Sequence, residues 1–441
     1  MTIRLGLASL LLLAGSASVA RADGAFPDAT QILLPSDKLN EIVVGTNFGL
    51  LMSQDAGKTW QWVCEQEIAP CAELYQMAPA PSDAIFAAST TGLVSLGADA
   101  CQYSGANGLS GVNVLDTFID PTNAARMLAL SVIAGDGGSD PYALFASSDG
   151  GQSFGGALYT APLSSSLTGV EIAKSDPMTV YLTQSDTMPA PATTILRASD
   201  GGTKFTAYPQ AATLGAVQLR IAAVDSGDAT KVYFRGKDAN SGNESLVITS
   251  DGGMTTHVAQ ALPAGYVMTT FLQQADGTLL MAGLQLNGAG SLNCTGAEPY
   301  AGSTGVAYRS SDGGKTFAPW TAPHLRGLGE RAGVLYAAAD NFVDGFAVGQ
   351  STDGGKTWKG LLKYVDIQGP LTCSEVAETC AVPWAALQVT FGIMPGGGGK
   401  PTTSKHGCSF STASAHARDL LFLAPLLVWL ALARRRRPAR R

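Results

Sequence analysis

Along most of the chain, apolar or β-branched runs of four to six residues alternate with clusters of Gly, Pro, Asn, Asp and Ser. Near the start the runs are Gln31 to Leu34, Glu41 to Gly45, Gly49 to Met52 and Thr59 to Cys64, separated by Pro35-Ser36-Asp37 and Asn47-Phe48-Gly49 turns. Runs of this length bounded by turn residues predict short strands rather than helices. The same order returns between Val112 and Tyr159 and again between Val217 and Ala259, so the predicted unit is four strands in about 50 residues.

One string punctuates every unit between its third and fourth strands. It reads Ser53 to Trp60 (SQDAGKTW), Ser147 to Phe154 (SSDGGQSF), Ala198 to Phe205 (ASDGGTKF), Thr249 to Thr256 (TSDGGMTT), Ser310 to Phe317 (SSDGGKTF) and Ser351 to Trp358 (STDGGKTW). The aspartates are Asp55, Asp149, Asp200, Asp251, Asp312 and Asp353, and a degenerate copy at Asp99, with Cys101 in the glycine place, fills the one double gap. Asp bonds its own turn backbone, Gly accepts a positive φ, and the closing Trp or Phe supplies apolar area beneath the turn. Seven four-stranded repeats predict an all-β fold, a seven-bladed β-propeller with four-stranded antiparallel blades, over residues 25–391. Residues 366–391 follow the last turn and are expected to close the ring or cap one face.

The repeated string resembles the Asp-box, or BNR repeat, of sialidases, sortilin-type receptors and photosystem-assembly propellers. In that family the boxes lie on blade hairpins away from the axial face where ligands bind. The resemblance therefore implies structural roles for Asp55, Gly57, Trp60, Asp149, Asp200, Asp251, Asp312, Asp353 and Trp358. A calcium array is not expected, because each turn offers one carboxylate where calcium needs several. Gly135 to Asp140 reads as a long turn rather than a cation loop.

Both ends carry targeting patterns. Residues 1–22 read as a secretory signal peptide, with Arg4, an apolar core from Leu5 to Ala14, and Ala20-Arg21-Ala22 before Asp23. At the other end, a Gly/Pro/Thr/Ser linker over 392–407 leads to Gly407-Cys408, an apolar run from Leu420 to Ala433, and six arginines from Arg434 to Arg441. By the positive-inside rule the arginines stay in the cytoplasm and the body lies outside. The order of parts over 408–441 resembles the MYXO-CTERM sorting signal. That resemblance implies cleavage by a sorting protease near Cys408, lipidation of that cysteine, and attachment at the cell surface or outer membrane. An uncut inner-membrane anchor is the alternative.

Apart from Cys408, six cysteines occur, an even number that suits disulfides in an oxidising compartment. Two pairs share a C-x6-C spacing, so Cys64 with Cys71 and Cys373 with Cys380 are expected as local staples, leaving Cys101 with Cys294. No C-x-x-C occurs and the four histidines are scattered, so neither zinc nor any other metal or cofactor is expected.

Composition narrows the function classes. With 52 Gly and 22 Pro and only 14% charged residues, the chain suits turn-rich β structure. The formal charge of −7 hides an acidic body: residues 25–395 hold 17 Lys and Arg against 33 Asp and Glu, a net of −16. That argues against nucleic acid as the partner. A sialidase would need an early arginine in an F/Y-R-I-P motif, two further arginines, an Asp acid and a Tyr paired with Glu. Between Arg21 and Arg126 there is no arginine, so the early one is missing. Arg197, Arg220, Arg309 and Arg326 remain as candidates around an axis. The favoured reading is a monomeric, non-catalytic binding or scaffold module for a protein, peptide or glycan. Specificity is expected in loops Thr183 to Thr194 and Leu286 to Thr304, with Gln285, Asn287, Asn293 and Tyr300 able to bond or stack on a sugar.

Overall fold

The computed structural model describes residues 27–69, 72, 74–133, 141–186, 191–285 and 304–392. It contains seven four-stranded antiparallel sheets, each a simple meander of consecutive strands. Blade 1 is built from Ala29–Leu33, Ile42–Thr46, Gly49–Ser53 and Gln61–Cys64, within a residue or two of the runs read from the sequence. The remaining blades span 74–105, 113–160, 165–209, 217–261, 266–319 and 327–362.

The first strand of each blade lies innermost. These strands are Ala29–Leu33, Leu74–Met77, Asn113–Ile119, Ser165–Ile172, Val217–Val224, Tyr266–Gln273 and Gly327–Arg331, and they touch one another in ring order, the seventh meeting the first. The middle strands are largely buried because neighbouring blades cover both faces. Ile42–Thr46 and Gly49–Ser53 are buried at every position, whereas an outermost strand such as Thr206–Pro209 is mostly exposed.

Because every blade is a meander, the turns joining strands one to two and three to four lie on one face. Those joining strands two to three, and blade to blade, lie on the other. All seven aspartate turns therefore share one face.

The segment after blade 7 secures the junction of first and last blades. Gln368 N donates to Trp60 O, Trp62 N to Gly369 O and Leu371 N to Trp62 O, each at 2.9 Å, so this segment runs as a parallel fifth strand on the outer edge of blade 1. A helix, Ser374–Thr390, follows and buries Val376 and Cys380. Trp384 packs on Trp62 at 5.7 Å, and Phe391 stacks on Tyr364 at 5.1 Å.

The disulfides differ from the expected local staples. Cys64 bonds Cys380 and Cys101 bonds Cys373, with Cα separations of 5.5 and 6.0 Å. The helix explains why Cys373 and Cys380 do not pair. Cys373 is its N-cap and Cys380 lies seven residues on, about two turns or 10 Å along the axis. That exceeds the reach of a disulfide but aims both sulfurs at the ring. Cys64 and Cys101 are thereby taken, so Cys64–Cys71 and Cys101–Cys294 are not formed; Cys71 and Cys294 themselves lie outside the described residues. The two bonds span 316 and 272 residues and tie the C-terminal segment to blades 1 and 2.

Candidate binding face

The aspartate turns are self-contained. In the first, Asp55 Oδ1 accepts from Lys58 N at 3.0 Å and Thr59 N at 2.9 Å, Oδ2 accepts from Thr59 Oγ1 at 2.7 Å, and Ser53 Oγ donates to Oδ1 at 2.9 Å. Gly57 N donates back to Ser53 Oγ at 2.8 Å. The same set recurs around Asp312 and Asp353, with close variants at Asp149, Asp200 and Asp251. These donors, Thr59 foremost, hold the Asp55 carboxyl down at about 2; Ser153 foremost does the same for Asp149. The degenerate turn keeps one bond, Cys101 N to Asp99 Oδ1 at 3.1 Å.

Each turn also packs on the blade before it. Trp60 is buried and its Nε1 donates to Gly57 O at 3.1 Å and to Leu361 O of blade 7 at 3.3 Å. The second glycine of a turn has φ near +80°, and a Cβ on Gly151 would stand 2.6 Å from Phe86. Glycine is required there both for its backbone and for the close approach.

Along the axis, side chains bridge from one blade to the inner strand of the next. Gln31 Oε1 accepts Tyr75 N at 2.8 Å, Asp116 Oδ2 accepts Val170 N at 3.0 Å, and Glu171 Oε1 accepts Val224 N at 2.7 Å. Glu244 Oε2 accepts Met268 N at 2.7 Å while its carboxylate holds Arg235 in a two-pronged pair at 2.6 and 2.7 Å. Register shifts in several first strands turn further polar side chains across: Thr168 Oγ1 donates to Leu219 O at 2.7 Å and Thr269 Oγ1 to Leu325 O at 2.6 Å. Burial pushes Glu171 up to about 8, opposed by the Val224 N–H and reinforced by Asp116. Burial raises Asp116 as well, with Arg220 pulling the other way. The raised carboxyl of Glu171 is a property the sequence did not signal.

The four candidate arginines do not converge. Arg309 Nη1 reaches Gly354 O in the turn of blade 7 at 3.4 Å, and Arg197 lies over Tyr181 beside Gly252 in the turn of blade 5. Arg326 is buried against Asp28 and Asp340, where blade 7 meets blade 1. Arg220 alone is exposed at the axis, on the first strand of blade 5.

Opposite the aspartate turns, the strand-two-to-three connections carry networks of hydroxyls and amides. Tyr159 Oη donates to Gln184 Oε1 at 2.7 Å, and Gln184 Nε2 and Ser165 Oγ both reach Asp186 Oδ1, at 2.9 and 2.5 Å. Thr304 Oγ1 donates to Gln285 Oε1 and contacts Tyr266 Oη, both at 2.8 Å. His324 Nδ1 lies 2.9 Å from Asp344 Oδ1, whose hydrogen bond raises the imidazole. Asn287, Asn293, Tyr300, the loop from Gly135 to Asp140 and Cys408 lie outside the described residues. Among the described residues, no three His, Cys, Asp or Glu side chains group to hold a metal ion.

No protein-family model matches the sequence, and no curated protein matches it. Among solved structures, the chain is similar to the GH74 xyloglucanase from Xanthomonas campestris at 16% identity and TM-score 0.47, over 66% of this chain and 46% of that one. It is also similar to a Hadza microbial sialidase at 12% identity and TM-score 0.42, over 67% of this chain and 70% of that one. YCF48 bound to D1 peptide matches at 17% identity and TM-score 0.35, over 58% of this chain and 68% of that one. The chain spans 46%, 45% and 55% of the length of three GH74 structures it matches.

Proposed function

We propose that this chain is an exported, surface-anchored, non-catalytic β-propeller that binds a protein, peptide or glycan on the face opposite its aspartate turns. One observation carries the reading most: the axial carboxylates Asp116 and Glu171 are each spent on a backbone N–H of the next blade, as Gln31 is at another junction. Gln31 has no acid chemistry, so a shared architectural role accounts for all three. The scattered arginines support the same reading, since a sialidase-type carboxylate clamp needs them together. Two disulfides suit an oxidising compartment.

Anchoring belongs to the same proposal, through processing near Cys408. Surface protein should then have an intact mass ending near Cys408 and carrying acyl chains. A mass that includes all six terminal arginines would mean an uncut anchor. For the binding face, replacing residues 286–303 with a short Gly-Ser link should remove ligand capture without altering the melting temperature. Unchanged capture would move the site elsewhere.

A second reading is favoured by Glu171. A carboxyl raised by burial, with a second carboxyl near it, is the pairing an acid/base glycosidase uses. If it holds, Glu171→Gln abolishes turnover of a glycoside by the folded protein.

A further inference from the structure

The blade junctions differ in one respect on the face that carries the aspartate turns. Between blades 3 and 4, Arg126 Nη2 donates to Gly201 O at 3.1 Å. Between blades 5 and 6, Lys231 Nζ donates to Gly313 O at 2.8 Å, and between 6 and 7, Arg309 Nη1 reaches Gly354 O at 3.4 Å. Each acceptor is the carbonyl of the first glycine in the next blade's turn. Between blades 4 and 5, Arg197 takes the same place, so close that a Cβ on Gly252 would collide with its guanidinium. Arg331 serves the 7–1 junction through the carbonyls of Pro35, Lys38, Leu39 and Glu41, and Lys38 serves the 1–2 junction, 3.3 Å from Asp83. These last two cations reach acceptors other than a turn glycine; among the described residues, the junction of blades 2 and 3 is the one that no Lys or Arg bridges on this face.

The sequence explains the gap. The cation comes from one of two positions. Arg126 and Lys231 immediately precede the second strands Met127–Val132 and Val232–Asp238. Arg197 and Arg309 are penultimate in the third strands Ala192–Ala198 and Gly305–Ser310, paired with Tyr181 and Leu280, each second in its strand. Blade 2 has Ala84 at the first position, before Ile85–Ser89, and Ser95 at the other, penultimate in Gly92–Leu96 and paired with Phe86. No Lys, Arg or His occurs anywhere between Lys58 and Arg126.

Where the cation would sit there is a groove of about 570 Å³, lined by Ala84 and Ser95 and by Asp149 and Gly150 of the next turn. Ser82, Ser104, Asn107 and Gln152 also line it, and their side chains make no hydrogen bond to the described residues. Nor does the Gly150 carbonyl accept one. The groove thus offers a carboxylate, a free carbonyl and several uncommitted hydroxyl and amide groups, with no positive charge of its own.

We propose that this groove binds a cationic group from outside the chain, a primary ammonium or guanidinium, which donates to the Gly150 carbonyl as Arg126, Lys231 and Arg309 do for the equivalent glycines. Two sources share that chemistry: a free polyamine, and a Lys or Arg side chain of a partner polypeptide.

Calorimetric titration of the full-length protein tests it, with spermidine, N-acetyl-lysine methylamide and N-acetyl-arginine methylamide as probes and the side-chain-acetylated lysine compound as the uncharged control. The cationic probes should bind, more weakly as salt rises, and the uncharged one should not. Binding of spermidine alone identifies a polyamine site; binding of the capped amino acids identifies a side-chain site. Ser95→Arg supplies the guanidinium at the place of Arg197 and Arg309, so it should weaken probe binding about tenfold or more and raise the melting temperature. Ala84→Arg, at the place of Arg126 and Lys231, should do the same if the first variant folds poorly. The proposal is overturned if no cationic probe binds, if the uncharged control binds equally, or if a folded arginine variant binds as the parent does.

Discussion

At the scale of single residues, the aspartate turns show how far a short string dictates structure. Asp with Gly close behind it, headed by Ser or Thr in five of the six full copies, placed those hairpins, because the bonds these residues make are local. Asp312→Ala removes acceptors for Lys315 N, Thr316 N and Thr316 Oγ1 together, and should lower the melting temperature by several degrees while ligand binding by the folded fraction is unchanged. Scanning calorimetry beside a binding assay checks both halves. The turns and the axis also set opposite pH dependences. Carboxyls held low, such as Asp55 and Asp149 at about 2, stabilise the fold above the ordinary carboxylate range, and that stability is lost as pH falls toward 2. Glu171, raised from 4.5 to about 8, does the reverse: the native state binds the extra proton, so stability declines as pH rises from about 4.5 to 8. Glu171→Gln keeps an acceptor for Val224 N and should flatten that decline. A parent and variant whose melting temperatures track each other from pH 5 to 8 would contradict it. The Glu171 shift was not legible in the sequence, since it comes from burial at the axis, reinforced by Asp116 of blade 3, and nothing local marks it.

At the scale of elements, the blades were legible and the clasp was not. Strand runs and turn chemistry repeat seven times, so each copy corroborates the others, and blade 1 came out within two residues of its reading. The last segment occurs once. Its helix, Ser374–Thr390, has apolar residues around most of its circumference and a proline inside, so periodicity gave little warning. The seven-residue spacing of Cys373 and Cys380 was the available signal: two helical turns put both on one face, whereas a local bridge needs them adjacent. Peptide mapping under non-reducing conditions should recover Cys64 with Cys380 and Cys101 with Cys373. Recovery of Cys373 linked to Cys380 would reject the helix at this place. Replacing Cys64 and Cys380 together by Ser should cost about 2–5 kcal/mol, because the bond closes a long loop at the seam of the ring.

At the scale of the whole molecule, a ring of separate sheets needs each junction secured, and the chain secures its junctions repeatedly. Apolar strands pack face to face, turns press glycines against the preceding blade, and side chains at the axis reach the next inner strand. The seam between blades 7 and 1 receives more: Arg331, the buried group of Arg326 with Asp28 and Asp340, the added strand and two disulfides. Rigidity of this kind suits a module that presents loops, and Gln31, Asp116 and Glu171 at the axis each accept a backbone N–H of the next blade. The most direct test compares the parent with an Asp116→Asn, Glu171→Gln double variant on arrays of peptides and glycans, with turnover of every captured glycan followed in parallel. If the axis is architecture, both proteins capture the same ligands with the same affinity and leave them uncleaved. Cleavage by the parent that disappears in the folded variant would contradict the account and make the axis an active site.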